Sequence, residues 1–327
     1  MSDTLCRMKF AVLQFFSWPG RRVPLRTVYD RALDRVRIMD RSGYDAVWLA
    51  EHHFSTYSVC PSVHIMGMHA ADITENIRIG TGVSLAGFYH PLRLAEEVAL
   101  LDNLSGGRVN WGAGRGFDAT EMRVFGVEHA DSYARFRENV DIVQQAWKSE
   151  RLTYEGRFHT FRDIEVLPKP LQNPLPTWIG ASSPDAIDWA ASEGYAILMD
   201  PHSTHAEIGR KYEAYRGRLA AGGFANHADI PMARLIAIAP TDAAAEAVAR
   251  EGARWTVESY AGVRDSASKQ ERIERYVNEV IIHGSPSKVV DQLKQLEEEV
   301  PLSYLLASIL SHQTFLLLTD EVMPRML

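Results

Sequence analysis

Cysteine is almost missing from this chain of 327 residues: there are two, Cys6 and Cys60, far apart and with no CxxC pair or histidine at metal-ligand spacing. Neither a disulfide framework nor a zinc site is therefore indicated, and the expected compartment is a reducing one, the cytoplasm. Excess positive charge is missing as well. Thirty-five Lys and Arg stand against 42 Asp and Glu, a formal net charge of -7, so the chain lacks the basic face that nucleic acid or an anionic membrane surface requires. No stretch approaches the roughly 18 apolar residues of a membrane span. Met1 to Arg7 also lack the apolar core and small-residue cleavage site of an export signal. Solenoid repeats and low-complexity tracts do not occur. These absences leave a soluble protein whose partner is a small molecule.

What is present is a hydrophobic content of 46%, enough for a large core at this length, in either two small domains or one barrel. Short β-type runs alternate with longer helical patterns from end to end, as in a parallel sheet wrapped in helices. Lys9 to Phe15 reads as the first strand, and Leu25 to Ser42 then places Val28, Ala32, Val36 and Met39 on one helix face before Gly43. Further strands are predicted at 45–50, 77–83, 108–113, 177–180, 196–199, 234–238 and 303–307, with helices over 63–74, 91–104 and 133–148 among the connections. Eight near-evenly spaced units without a composition break favour a single (β/α)8 barrel over a doubly wound sheet. The fold class is thus α/β, one TIM-barrel domain over 1–327, with two departures from the rhythm. Residues 151–176 alternate apolar and polar positions and then carry Pro168, Pro170, Pro174 and Pro176, which reads as an inserted hairpin and linker. Residues 259–284 read as a mobile loop region around the polar run Gly262 to Gln270, a candidate lid over the barrel mouth.

Function in such a barrel collects where strands end at the C-terminal face. The second strand ends in Glu51-His52-His53-Phe54. Two imidazoles and a carboxylate suit a base, a cofactor contact or a metal site, but neighbours on a strand point to opposite sides, so one histidine is equally read as a packed structural donor. A metal is not expected, since neither HxH on the first strand nor HExxH is present. The fourth strand ends in Gly112-Ala113-Gly114-Arg115-Gly116, where small residues admit a ligand to the backbone and a guanidinium can pair with a phosphate. It lacks the spacing of a dinucleotide fingerprint, and a tight turn with Arg115 in a structural ion pair is the competing reading. After the fifth strand, Ser182-Ser183-Pro184 precedes a helix, either as an anion site at its start or as an ordinary N-cap. Arg115 and the Ser182-Ser183 turn belong to successive strands and can grip one phosphate together.

At Trp48-Leu49-Ala50-Glu51-His52-His53-Phe54 the chain resembles the bacterial luciferase-like monooxygenases. The resemblance continues through Ile79-Gly80-Thr81-Gly82, His90-Pro91, Leu101-Asp102, Ser105-Gly106-Gly107-Arg108, Arg115-Gly116 and Val124-Phe125-Gly126. It resumes at Ser182-Ser183-Pro184, Gly284-Ser285-Pro286 and Glu321-Val322-Met323-Pro324, essentially the whole length. The resemblance implies an FMN-dependent monooxygenase that takes reduced FMN from a separate flavin reductase, adds O2 at the flavin C4a carbon and uses the resulting C4a-peroxyflavin on a small organic substrate. It implies His52 as the acid-base residue, Glu51 as an isoalloxazine contact, Arg115, Ser182 and Ser183 as phosphate contacts, and a cis peptide at Gly82-Val83 beneath the ring. A homodimer through the second and third helices is implied too. Luciferase carries a reactive cysteine where this chain has Gly114 and a glutamate where it has Ser182, which weakens any expectation of light emission. The alternative within the same barrel family is a deazaflavin- or flavin-dependent oxidoreductase that transfers hydride. Aromatic residues Phe16, Trp18, Phe88, Tyr89 and Phe117 point to a partly apolar substrate pocket, or simply to core.

Overall fold

The computed structural model describes residues 8–225, 230–259, 266–300 and 302–326. In chain order the elements are β1 (Lys9–Gln14), α1 (Leu25–Arg41), β2 (Ala46–Leu49), α2 (Val63–Asp72), β3 (Arg78–Thr81), α3 (Pro91–Leu104), β4 (Val109–Ala113), α4 (Ala119–Val124), α5 (Ser132–Lys148), β5 (Leu152–Glu155) and β6 (Thr160–Ile164). They continue with β7 (Thr177–Gly180), α6 (Pro184–Ser192), β8 (Ala196–Leu198), α7 (His205–Ala221), β9 (Met232–Ile238), α8 (Asp242–Ser259), α9 (Ser266–Arg275), β10 (Ile282–Gly284), α10 (Pro286–Glu299), β11 (Tyr304–Ile309) and α11 (His312–Leu317).

The main sheet runs β10-β9-β11-β1-β2-β3-β4-β7-β8, and each pairing in it is parallel. Its ends meet at Met199, directly after β8. That residue's N–H donates to Pro231 O at 3.1 Å, and its carbonyl accepts from Ala233 N at 3.1 Å. The barrel therefore closes from β8 onto β9, and β10 lies further along the same edge of β9 as a ninth strand. Every residue of β2, β4, β8 and β9 is buried. Strands covered on both faces need such unbroken apolar runs, which is why their period of two is invisible in the sequence.

The interior is filled by large side chains. Trp48 of β2 meets Trp178 of β7 edge to face at 5.2 Å, and its indole N–H reaches Tyr304 Oη at 3.4 Å. This packing dictates glycine on the next strand, because a Cβ at Gly80 would lie 2.3 Å from the Trp48 ring. Outside the barrel, α1 buries Ala32, Leu33, Val36 and Met39, the inward stripe expected of an amphipathic helix. Its penultimate residue Asp40 then accepts from the N–H groups of Glu75, Asn76 and Ile77, tying α1 to the start of β3.

Residues 152–164 form an antiparallel hairpin, β5 with β6, joined to β7 by the proline-rich stretch. Of the stretch 259–284 read as a mobile loop region, residues 260–265 lie outside the described residues, as does Cys6. The remainder departs from that reading: it carries the last residue of α8, then α9, a π-helical turn at Tyr276–Val280, and β10. The cause is visible in the packing, where Ile273, Tyr276, Val277, Val280 and Ile281 bury against Ala249, Ala253 and Val257 of α8. The polar run thus overlaps the start of an amphipathic helix.

Candidate active site

The C-terminal ends of six barrel strands surround one cavity of about 220 Å³. Glu51, His52, Gly82, Val83, Arg115, Ser182 and Ser183, singled out from the sequence, all line it. They come from the segments after β2, β3, β4 and β7, so the shared rim of a parallel barrel brings together residues more than a hundred positions apart.

Part of the cavity lining is suited to an anion. The Arg115 guanidinium lies over the Tyr133 ring at 4.1 Å and, among the described residues, donates to Ser132 Oγ at 2.8 Å. No carboxylate within salt-bridge distance of it occurs among the described residues, so the ion-pair reading of Arg115 is not what the structure shows. Tyr133 carries the contact onward, its hydroxyl 3.1 Å from Ser183 Oγ. Ser183 is at the same time the N-cap of α6, accepting from Ala186 N at 3.3 Å. The two readings of that serine are thus compatible: the cap opens a helix start toward the cavity while Pro184 at the first helical position leaves no N–H of its own.

The floor is smooth. The Gly82-Val83 peptide is cis, and the Val83 side chain sits against two glycines. A Cβ at Gly114 would come 2.2 Å from Val83 Cγ2, and one at Gly180 3.1 Å from Val83 Cγ1. Gly114 is therefore matched to a valine at 83, and a larger residue there would push Val83 into the cavity.

The Glu-His-His residues follow β2, and there the two imidazoles part. His52 lines the cavity, its ring stacked on Phe15 at 6.2 Å with Tyr57 and Phe117 edge-on at 5.1 and 6.1 Å. His53 turns away; its Nε2 is 3.1 Å from Glu51 Oε1 and its ring packs on Phe125 at 4.7 Å. Glu51 is 2% exposed and accepts from the Tyr89 hydroxyl at 3.0 Å and from Leu85 N at 3.4 Å. Burial pushes the Tyr89 phenol up, and the Glu51 charge adds to it, so Tyr89 stays a proton donor to that carboxylate. Cys60 gives its carbonyl to His52 N, while burial pushes its thiol up to about 12, the behaviour of an inert packed cysteine.

Of the aromatic residues read as pocket or core, Phe117 lines the cavity and is 47% exposed, whereas Phe16 is fully buried against Tyr29. Trp18 faces a separate shallow groove that shares His52 and His53, and Phe88 stacks on Phe125.

Four residues at the site carried no flag in the sequence: Glu121, Tyr133, Asp200 and His202. Glu121 of α4 accepts from His53 N at 2.8 Å and lies 3.4 Å from His52 Nδ1. Asp200 and His202 follow β8 and also line the cavity. Burial would push the Asp200 carboxyl up, but the Lys211 ammonium at 2.8 Å and hydrogen bonds from His202 N and Ser203 hold it below the usual carboxylate range. Beneath them Arg234, wholly buried on β9, donates to the carbonyls of Asp200 and Ser203 at 2.9 and 2.8 Å. Burial lowers that guanidinium to about 10. Burial also lowers His202 to about 4, Arg234 adding to this and Asp200 opposing it, and Tyr276 Oη sits 3.2 Å from its Nδ1. No group of three or more His, Cys, Asp or Glu suited to a metal occurs among the described residues. In the same set no helix is long and apolar enough to cross a membrane.

The family profile described as luciferase-like monooxygenase matches residues 8–301. The oxygenase component of flavin-dependent trigonelline monooxygenase from Acinetobacter baylyi is 29% identical over 197 residues, 59% of this chain and 54% of that protein. The first curated relatives are matched over little more than half of their own length, 54 to 62%. Among solved structures, monooxygenase RslO1 from Streptomyces bottropensis superimposes with a TM-score of 0.86 at 25% identity, over 97% of this chain and 99% of that one. The oxygenating constituent of 3,6-diketocamphane monooxygenase from Pseudomonas putida, solved with FMN, gives 0.82 at 20% identity over 98% and 99%.

Proposed function

The chain belongs to the luciferase-like monooxygenase family, and from that premise we propose that it is an FMN-dependent monooxygenase acting with O2 on a small organic substrate. Reduced FMN comes from a separate flavin reductase, and the working form is a cytoplasmic homodimer. The observation that carries the reading is that one cavity is lined by Arg115 with the Ser183 helix start, by His52 and by the Gly82-Val83 peptide.

The residues present fit such a cofactor. Among the described residues Arg115 donates only one hydrogen bond, and it lies over the Tyr133 ring, which preorganises it for a phosphate dianion. Ser182 and Ser183 supply hydroxyls beside it, and Val83 on its glycines offers a flat apolar surface to a ring. Glu51 would face the polar edge of that ring. Bound reduced flavin supplies the electrons that activate O2. The chain's own part is to hold the phosphate, to keep water out with Leu13, Phe15, Leu85 and Phe117, and to exchange a proton at His52. For the dimer, exposed Ile65 on α2 and Leu100 and Leu104 on α3 provide an apolar face on the two helices expected to pair.

The test is kinetic. Protein loaded anaerobically with reduced FMN is mixed with O2 while flavin absorbance and oxygen are followed together. A monooxygenase consumes oxygen first and regains oxidised-flavin absorbance with a lag. Simultaneous traces, or no reaction of the bound flavin with oxygen, would favour the hydride-transfer alternative.

A further inference from the structure

Each histidine of the Glu-His-His run is attended by a carboxylate, and one of those carboxylates is incompletely bonded. Glu51 has three partners: His53 Nε2, the Tyr89 hydroxyl and Leu85 N. Glu121 is 1% exposed, yet only its Oε1 is engaged, with His53 N at 2.8 Å and His52 Nδ1 at 3.4 Å. Its Oε2 is buried with no hydrogen-bond partner among the described residues. Holding one backbone N–H needs no charge, since a neutral amide oxygen accepts equally well. Enclosing a carboxylate with one oxygen unpartnered is unfavourable unless the charge acts on something nearby. The group within reach is the His52 imidazole.

The geometry points to Glu121 as the positioning residue for His52: it draws the imidazole proton onto Nδ1 and leaves the Nε2 lone pair for the cavity. A neutral imidazole alone favours the opposite tautomer, with the proton on Nε2, so the protein must impose this one. The other nitrogen's partner is what sets a histidine tautomer, and an acid held at Nδ1 is the arrangement that lets Nε2 act as a base. Stacking by Phe15 and edge contacts from Tyr57 and Phe117 hold the ring in place. At 3.4 Å the pair is longer than a good hydrogen bond, as such pairs often are before a ligand closes the site. That Nε2 works as the base rests on the function proposed above; the tautomer itself does not.

The experiment reads the tautomer directly. Flavin-free protein carrying 15N-labelled histidine is examined by long-range 1H–15N correlation at a pH well above the usual imidazole value of about 6.5, with His52→Gln used to assign the signal. The expected result is a protonated Nδ1 on His52 in the native chain, moving to Nε2 in Glu121→Leu, which removes the acceptor with little change of volume, and retained at least in part in Glu121→Asp. A native His52 with its proton on Nε2 would overturn the assignment, as would an unchanged tautomer in a Glu121→Leu variant whose spectrum remains dispersed. If Glu121→Leu does not fold, the native spectrum decides alone. No flavin or substrate enters the measurement, so a chain that proved not to use FMN would leave this result intact.

Discussion

Replacing Arg115 by alanine separates phosphate recognition from everything else the site does. Among the described residues the guanidinium donates once, to Ser132 Oγ, and it lies 4.1 Å above Tyr133, so most of its N–H groups are left for a ligand. A charge-assisted hydrogen bond is worth about 1.5–3 kcal/mol net. Even one such bond lost to alanine therefore weakens FMN binding by about 2 kcal/mol, roughly thirtyfold in Kd. Riboflavin has the ring without the phosphate and should bind wild type and variant alike. Arg115→Lys should fall between, since lysine keeps the charge but neither the planar fork nor the stacking. Flavin fluorescence titrations at two salt concentrations measure all of this, and the FMN advantage should shrink with salt in wild type more than in the alanine variant. Equal losses for FMN and riboflavin would mean that Arg115 merely braces Tyr133 and Ser132. Unchanged affinity for both would remove the phosphate site from this part of the cavity.

Three further outcomes are expected. His52→Ala should keep FMN affinity within about tenfold, roughly 1.4 kcal/mol, while product yield collapses and hydrogen peroxide release rises; unchanged yield per bound flavin would take His52 out of the chemistry. Gly114→Ala should cost about 1–3 kcal/mol in denaturant unfolding through its clash with Val83, and Val83→Ala in the same chain should restore most of it; additive losses would refute the pairing. His202 adds a pH dependence whose sign follows from its lowered value of about 4. The unfolded chain binds the proton first, so this contribution to stability is complete above about pH 6.5 and declines as pH falls toward 4, by at most about 3 kcal/mol. His202→Gln should flatten that limb of the urea-midpoint curve, and an unaltered limb would assign the decline to other groups.

The barrel was readable because its strands are short apolar runs set between helices that announce themselves. Pro91 and Pro184 open helices, and Ala32, Val36 and Met39 repeat on one face. All eight strands that close the barrel fall where sequence pattern expects them, give or take a residue or two at the ends. The ninth, β10, is three residues long and follows a π-helical turn. Its Ile282-His283-Gly284 offers neither alternation nor a β-branched run, and its place beside β9 depends on how α8 and α9 pack. The β-branched run Val280-Ile281-Ile282 is divided between the helical turn and the strand, a split that local propensity does not mark.

The same distinction runs through the site. Glu51, His52, Arg115 and Ser183 could be found because each stands within a few residues of a strand end, and a parallel barrel delivers strand ends to one rim whatever the intervening sequence. Glu121 and Tyr133 come instead from helices laid across that rim, where a glutamate in Ala119–Val124 or a tyrosine at the start of α5 looks like an ordinary exposed position. What distinguishes Glu121 is burial, an imidazole 3.4 Å from one oxygen and no partner for the other among the described residues, and none of these is a property of its neighbours in the chain. A sequence therefore exposes the residues that a fold's regular geometry collects and hides those that orient them. The hidden set decides what the visible set can do: His52 is an acceptor or a donor toward the cavity according to which of its nitrogens Glu121 claims.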